Sequence, residues 1–469
     1  MANKRRIYLY DTTLRDGAQT HGVDFSVTEK RKIAEALDDL GIDYIEGGFP
    51  GANPTDDRFF NELPSLQTSH MTAFGMTRRA DRSTSNDPAL SAVLNSDAKH
   101  YCLVGKSSAF HVKVALGISN DDNLDSIGDS IAACAKSGEA MFDAEHFFDG
   151  YKENKDYALA CIKAAYDNGA RWVVLCDTNG GTLPHEVEEI VSEAAKHVPP
   201  DHLGIHTHDD TGNAIANSLA ALKAGCCMVQ GTLNGLGERC GNANLISLIP
   251  TLMLKMDYDI GLQQDDLKKL PTVSRMLDEI LNRPSDTSAP YVGERAFIHK
   301  GGLHASAMQK DSSSYEHIAP EVVGNKRLIV VSDQAGRSNL LARFAEIGID
   351  VDPKDPSVQT LVDLVKDQEY MGYAYDSAEA SFEVLARKAL GTIPRYFSLK
   401  RFSVTDERRY NAEGNLVTES EASIKVKIGS DVLHTVSEGN GPVNALDRAL
   451  RKALIEHYPL IENLYLSDY

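Results

Sequence analysis

The sequence predicts a (β/α)8 TIM barrel followed by a mainly helical linker subdomain and a small α+β C-terminal unit. Between residues 7 and 233 eight short, apolar, β-rich runs follow one another, and most are separated by segments with apolar residues at helical spacing. The runs are continuously apolar rather than alternating, as expected of strands covered on both faces in a parallel sheet. They are IYLYD (7–11), YIEGGF (44–49), MTAFGM (71–76), HYCLVG (100–105), EAMFDAE (139–145), RWVVLCD (171–177), LGIHTH (203–208) and CMVQGTL (227–233). The first helical segment shows the pattern well: Ile33, Leu37 and Leu40 share a face, Gly41 sits at the C-cap position, and Ser26 and Glu29 have capping-box spacing. A doubly wound open sheet is the competing architecture, but to bind a dinucleotide it would need a Gly-rich turn after its first strand, and DTTLRDG (11–17) is not one. The barrel is assigned to residues 1–260. Residues 261–392 form the linker, helical in pattern over 262–283 and 334–390, with the Gly- and Ser-rich HKGGLHASAMQKDSSSYEH (299–317) between. Residues 393–469 change pattern again: SIKVKIG (423–429) alternates in strand period, DVLHTVSEG (431–439) supplies a hairpin partner, and GNGPVNALDRALRKALIEHY (439–458) opens a helix. So small a unit buries little apolar surface alone and needs a partner copy, the barrel or more chain.

Bulk properties narrow the function. The 469 residues are 42% hydrophobic and 25% charged, ordinary for a globular protein of two or three domains. With 48 basic against 68 acidic side chains the net charge is −20, which sets nucleic acid and anionic membrane surfaces aside as partners. The N-terminal MANKRRIYLYDTTLRDG has too short an apolar run for a signal peptide, and no stretch is apolar enough to span a bilayer. Seven cysteines without a CxxC pair argue for reduced thiols and a cytoplasmic location. Most should be small buried hydrophobes, Cys240 included.

A barrel brings the C-terminal ends of its strands to one mouth. Arg15 and Asp16 follow the first run, Glu145 ends the fifth, Thr178 follows the sixth, His206 and His208 end the seventh, and Asn242 lies in GLGERCGN (235–242) after the eighth. Side chains two apart on a strand share a face, so both imidazoles of HTH (206–208) can reach one cation. The bland alternative is a pair of hydrogen-bonded histidines. Adding Asp16 and the Asn242 carbonyl oxygen gives an N/O set with open positions, suited to a catalytic divalent cation: Mn, Mg or Zn. Arg15 has the planar fork that grips a carboxylate or polarises a carbonyl; otherwise it is an ion pair with Asp16 or Glu46. Glu145, in FDAEHFFDG, has apolar and aromatic neighbours that would raise its pKa and fit it for proton transfer, or it caps a loop. Asp209 and Asp210 either accept from the imidazoles or cap the helix beginning near Gly212.

DTTLRDG, HTHDD (206–210) and GLGERCGN together resemble the signatures of the metal-dependent acyltransferase and lyase barrels that include the isopropylmalate, homocitrate and citramalate synthases. The resemblance continues through GGLHASA (301–307), SSSYEH (312–317) and GNGPVNA (439–445), nearly the whole chain. It implies a Claisen-type condensation in which acetyl-CoA, the co-substrate, adds through its methyl carbon to the keto group of a 2-oxo acid, followed by thioester hydrolysis. On the family pattern, Asp16, His206, His208 and Asn242 hold the cation, and Arg15 stabilises the developing alkoxide. Thr178 contacts the substrate carboxylate, and Glu145, His304 and Tyr315 serve proton transfer. His304 and Tyr315 come from the neighbouring subunit in such enzymes, which implies a homodimer with composite sites. FDAEHFFDGY, FIHKGGLHASA and AGRSNLL point to the branch that uses pyruvate. Pyruvate leaves a methyl to be enclosed, and Met76 and Leu103 at the ends of the third and fourth runs are the candidates to enclose it. The alternatives are 2-oxoisovalerate as substrate, or a hydroxymethylglutaryl-type lyase, which normally ends soon after the barrel. The family's regulatory domain has two strand-strand-strand-helix copies where this chain shows about one, so a shortened form without a complete feedback site is expected.

Overall fold

The structure is a computed structural model that describes residues 4–299, 307, 311–329, 340–341, 343–344, 347–352, 354–373, 375, 378–410, 412, 414 and 416–465. Contacts divide the chain into Met1–Val330 and Val331–Tyr469. In the first unit, β1 (Tyr8–Asp11), β2 (Tyr44–Gly48), β3 (His70–Met76), β4 (His100–Lys106), β5 (Glu139–Glu145), β6 (Ala170–Asp177), β7 (Leu203–Thr207) and β8 (Met228–Gly231) close into a barrel. Every neighbouring pair is parallel, and β8 closes on β1 in register from Tyr8 opposite Met228 to Asp11 opposite Gly231. The eight strands fall on the eight apolar runs.

Strand alternation splits the core in two. Outward residues such as Leu9, Ile45, Leu103, Phe142 and Ile205 pack against the surrounding helices. Inward residues Tyr10, Tyr44, Cys102, Met141, Trp172, Val174, Cys176 and Met228 form a separate cluster that fills the barrel. The first helix, Val27–Leu40, carries the expected capping box: the Glu29 N–H donates to Ser26 Oγ at 3.3 Å and the Ser26 N–H to Glu29 Oε2 at 2.7 Å. Gly41 ends it at φ 98°, a conformation that glycine adopts without a Cβ penalty.

After the barrel, Leu245–Leu254 and Leu270–Ile280 are helical, and a short parallel pair joins Ile298–His299 to Leu328–Ile329. In the second unit, helices Pro356–Tyr370 and Glu379–Ala389 enclose a small core around Phe344, Val358, Leu361 and Phe382. Strands Ser398–Tyr410, Leu416–Ile428 and Asp431–Gly439 then make an antiparallel sheet. Helix Pro442–Leu454 packs on it through Ala445, Ala449 and Ala453 against Ala422, Ile424 and Val426. No helix among the described residues is long and apolar enough to cross a membrane.

All seven cysteines are free, and Cys102, Cys134, Cys161, Cys176 and Cys226 are buried as expected. Cys240 is not: Glu238, Arg239 and Cys240 form the exposed tip of the loop, and Gly241 and Asn242 turn back inside.

Candidate active site

At the C-terminal mouth, Arg15, Asp16, Gln19, Phe74, Val104, Asp143, Glu145, Cys176, Thr178, His206, His208 and Glu238 line a cavity of about 220 Å³. Asp16, His206 and His208 are all buried, with one possible ligand atom from each lying within 4.8 Å of the others. His206 Nε2 is 3.4 Å from Asp16 Oδ2 and 3.3 Å from His208 Nε2. Burial lowers the pKa of both imidazoles, His208 to about 4 with His206 as a second cause, so both are neutral near pH 7. Burial alone would raise the Asp16 carboxyl, but the neighbouring Arg15 guanidinium and the histidines hold it below its ordinary value. One carboxylate and two neutral imidazoles form a donor set for a divalent cation.

The strongest sign of fit is what the protein leaves unsatisfied. Among the described residues, Asp16 Oδ1 and Asn242 Oδ1, two oxygens able to ligate a cation, are buried without a hydrogen-bond partner. Such groups are costly unless something else completes them. The loop delivers Asn242 through backbone bonds: the Asn242 N–H donates to Gly235 O at 3.1 Å, and the Asp209 N–H to Gly241 O at 2.9 Å. Gly241 has φ 97°, and a Cβ there would meet Gly235 O at 2.1 Å, so this close return requires glycine.

Arg15 is held from three sides. Its Nε donates to Glu46 Oε1 at 2.6 Å, its Nη1 lies 3.5 Å from Asp16 Oδ2, and its guanidinium stacks 3.9 Å from the Phe74 ring centre. Glu46, fully buried, also accepts from the Tyr10 hydroxyl at 2.7 Å. Both expected ion pairs therefore exist, yet they use the Nε edge and one Nη, leaving Nη2 without an acceptor among the described residues. The pairing orients the fork rather than occupying it.

Glu145 has a different environment from the apolar one expected: Lys106 Nζ lies 2.6 Å from its Oε2. The β4–β5 register sets Lys106 opposite Glu145, a pairing that sequence spacing does not reveal. Thr178 Oγ1 accepts from the His146 N–H at 2.8 Å, and its carbonyl accepts from Arg239 Nη2 at 2.7 Å. Asp210 binds the same guanidinium through 2.8 and 2.9 Å contacts, while Asp209 caps helix Ala214–Ala224 by accepting from the Ala214 N–H. Neither aspartate serves the imidazoles.

Two pocket candidates are corrected. Leu103 is fully buried on the outer face of β4, packed against the helical layer, and its neighbour Val104 lines the cavity instead. Met76 has inward parity but lies at the exposed rim, 45% accessible, and Phe74 one pleat deeper takes its place. Tyr315 follows the 3-10 turn Ser312–Ser314, is 45% exposed, and is not among the residues lining the cavity. His304 lies outside the described residues.

The sequence reading missed Gln230 and Asp143. Gln230, fully buried on β8, accepts from His206 Nδ1 at 2.8 Å and donates to Asp143 Oδ1 at 2.9 Å. Burial, with the Glu46 carboxylate nearby, raises the Asp143 carboxyl to about 7. The signal was available: each is a polar side chain flanked by non-polar residues inside a strand run, Phe142 and Ala144 beside Asp143, Val229 and Gly231 beside Gln230.

Comparison with known proteins agrees with this fold. The family model described as HMGL-like matches residues 6–277, a homocitrate synthase post-HMGL domain-like model matches 291–370, and a LeuA allosteric (dimerisation) domain model matches 376–469. The chain is 48% identical over 467 residues to the (R)-citramalate synthase of Aquifex aeolicus, covering 99% of this chain and 88% of that one. It is 49% identical over 467 residues to that of Geobacter sulfurreducens, covering 99% and 87%. A probable 2-isopropylmalate synthase of Methanopyrus kandleri is more distant, 32% identical over 96% of this chain and 86% of its own. A solved hydroxymethylglutaryl-CoA lyase of Pseudomonas aeruginosa shares the barrel fold, with a TM-score of 0.52 and 19% identity over 63% of this chain and 97% of its own. Matched in its barrel over residues 6–277 and along nearly its whole length at close to half identity, the chain belongs to the (R)-citramalate synthase family of HMGL-like barrel enzymes.

Proposed function

We infer that the protein condenses acetyl-CoA with pyruvate to give citramalate and CoA. The observation that carries this is the convergence of Asp16, His206, His208 and the buried Asn242 amide oxygen beside an Arg15 fork held by Glu46, all at one barrel mouth. The 42–49% identity to five (R)-citramalate synthases supports pyruvate over other 2-oxo acids.

The chemistry supplied by a divalent cation held by Asp16, His206, His208 and Asn242 Oδ1 is Lewis-acid polarisation of a 2-oxo acid carbonyl. Arg15 lines the same space and offers N–H donors to the oxygen that gains charge as the new C–C bond forms. The acetyl methyl carbon loses a proton and attacks the keto carbon; the keto oxygen ends as a hydroxyl. Water then cleaves the thioester, leaving a carboxylate and free CoA thiol. Glu145, held by Lys106 at 2.6 Å, is our candidate at this mouth for moving the methyl proton. We assign His304 and Tyr315 to proton transfer from a second copy, and the match of residues 376–469 to a dimerisation domain supports a homodimer. Thr178 is assigned to the substrate carboxylate. Phe74, Val104 and Cys176 give the cavity its apolar wall for the pyruvate methyl. Free cysteines favour a cytoplasmic location.

The test is release of CoA thiol from acetyl-CoA with pyruvate, 2-oxoisovalerate and 2-oxoglutarate offered separately. Pyruvate should give the highest kcat/KM. Absence of thiol with all three would refute a synthase, and preference for 2-oxoisovalerate would move the chain to the isopropylmalate branch.

A further inference from the structure

Gln230 lies on the inward face of β8 with no solvent exposure, bridging Asp143 on β5 and His206 on β7. A primary amide is asymmetric, so its two contacts determine each other. With Asp143 ionised, its NH2 group donates to Asp143 Oδ1 at 2.9 Å, which places its oxygen 2.8 Å from His206 Nδ1. That oxygen can only accept, so Nδ1 is the nitrogen that carries the proton. The lone pair of His206 is then on Nε2, the atom 3.4 Å from Asp16 Oδ2 and 3.3 Å from His208 Nε2. In the other tautomer an N–H would point into the ligand cluster. The position is otherwise one for an apolar residue: on the same inward face of β8, Met228 belongs to the barrel filling. Burying an amide here is costly unless both its ends are matched, and both are.

We propose that Gln230 is a positioning residue that, anchored by Asp143, fixes the tautomer and ring orientation of His206 and so sets the affinity of the site for a divalent cation. The proposal rests on reading Asp16, His206 and His208 as cation ligands, and the test separates the two. Mn²⁺ alone is titrated calorimetrically into the full-length protein and variants, with circular dichroism melts to confirm folding. Gln230→Met keeps the length of the side chain but removes both hydrogen bonds, and it should weaken Mn²⁺ binding about 10–100-fold. Asp143→Leu removes the anchor and should share the loss, whereas Asp143→Asn keeps an acceptor oxygen for the amide and should stay within about threefold of the unaltered protein. Unchanged Mn²⁺ affinity in Gln230→Met, while His208→Ala abolishes binding, would overturn the positioning role and leave the ligand set standing. Unchanged binding in His208→Ala would overturn both. If Gln230→Met does not fold, equal affinities in Asp143→Leu and Asp143→Asn would overturn the proposal.

Discussion

Replacing Glu46 with alanine should damage activity without touching any group assigned to substrate. Its carboxylate is fully buried and serves two donors, Arg15 Nε at 2.6 Å and the Tyr10 hydroxyl at 2.7 Å. Removing one partner of a buried ion pair costs about 3–5 kcal/mol, because the remaining charge stays desolvated. Two features place Glu46→Ala at the lower end, about 3 kcal/mol. Arg15 retains Asp16 at 3.5 Å, and loss of Glu46 relieves its repulsion of Asp143. The catalytic effect should be larger in relative terms. Released at Nε, the guanidinium can swing toward Asp16 and withdraw the edge it now presents to the cavity, and loss of one oxyanion donor costs about 10²–10³ in kcat. Glu46→Gln keeps an acceptor for Nε and should fall between the two. Urea unfolding midpoints give the stability, and thiol release under saturating substrates gives kcat. A folded Glu46→Ala protein with unaltered kcat would refute the claim that Glu46 aims Arg15.

Other predictions follow from single contacts. Val104→Ala enlarges the cavity wall and should shift the kcat/KM ratio of 2-oxoisovalerate to pyruvate upward by about 10–200-fold, measured by the same thiol assay; an unchanged ratio would place the substituent elsewhere. Asp11 is fully buried, and burial raises its carboxyl to about 7 despite hydrogen bonds from the Thr13 N–H and hydroxyl. The folded chain therefore holds this proton up to about pH 7 while the unfolded chain releases it near 3.9, so Asp11 costs stability as pH rises through that window. Asp11→Asn should gain on the unaltered protein between pH 5 and pH 8, and a pH-independent difference in urea midpoints would contradict this. Ser26→Ala removes the cap of helix Val27–Leu40 and should cost about 0.5–2 kcal/mol in the same unfolding assay with kcat unchanged.

The strands were legible because both of their faces are buried, which leaves an unbroken apolar run for each. The ends of those runs showed where Asp16, His206, His208 and Asn242 would meet, since a closed barrel has one such mouth. What spacing could not supply was parity and register. Leu103 and Val104 are equally apolar, and only the pleat decides which one faces the cavity. Lys106 stands beside Glu145 because of how β4 pairs with β5, and Gln230 reaches Asp143 across the barrel interior; neither relation has a local sequence pattern. Cys240 resembled its buried counterparts in type but lies at the tip of a loop.

The seam of the barrel is the pairing of β8 with β1, where the two ends of the ring meet. Asp16 stands on one side of that seam, and His206, His208 and Asn242 stand on the other, 190 or more residues away along the chain. Opening the seam separates them, and no sub-fragment lacking either end carries the set. A cation held by the proposed set would therefore work as a clasp: it would be available only to the closed ring, and its binding free energy would add to the stability of closure. The number of tight sites titrated in a preparation would then count the rings that have shut.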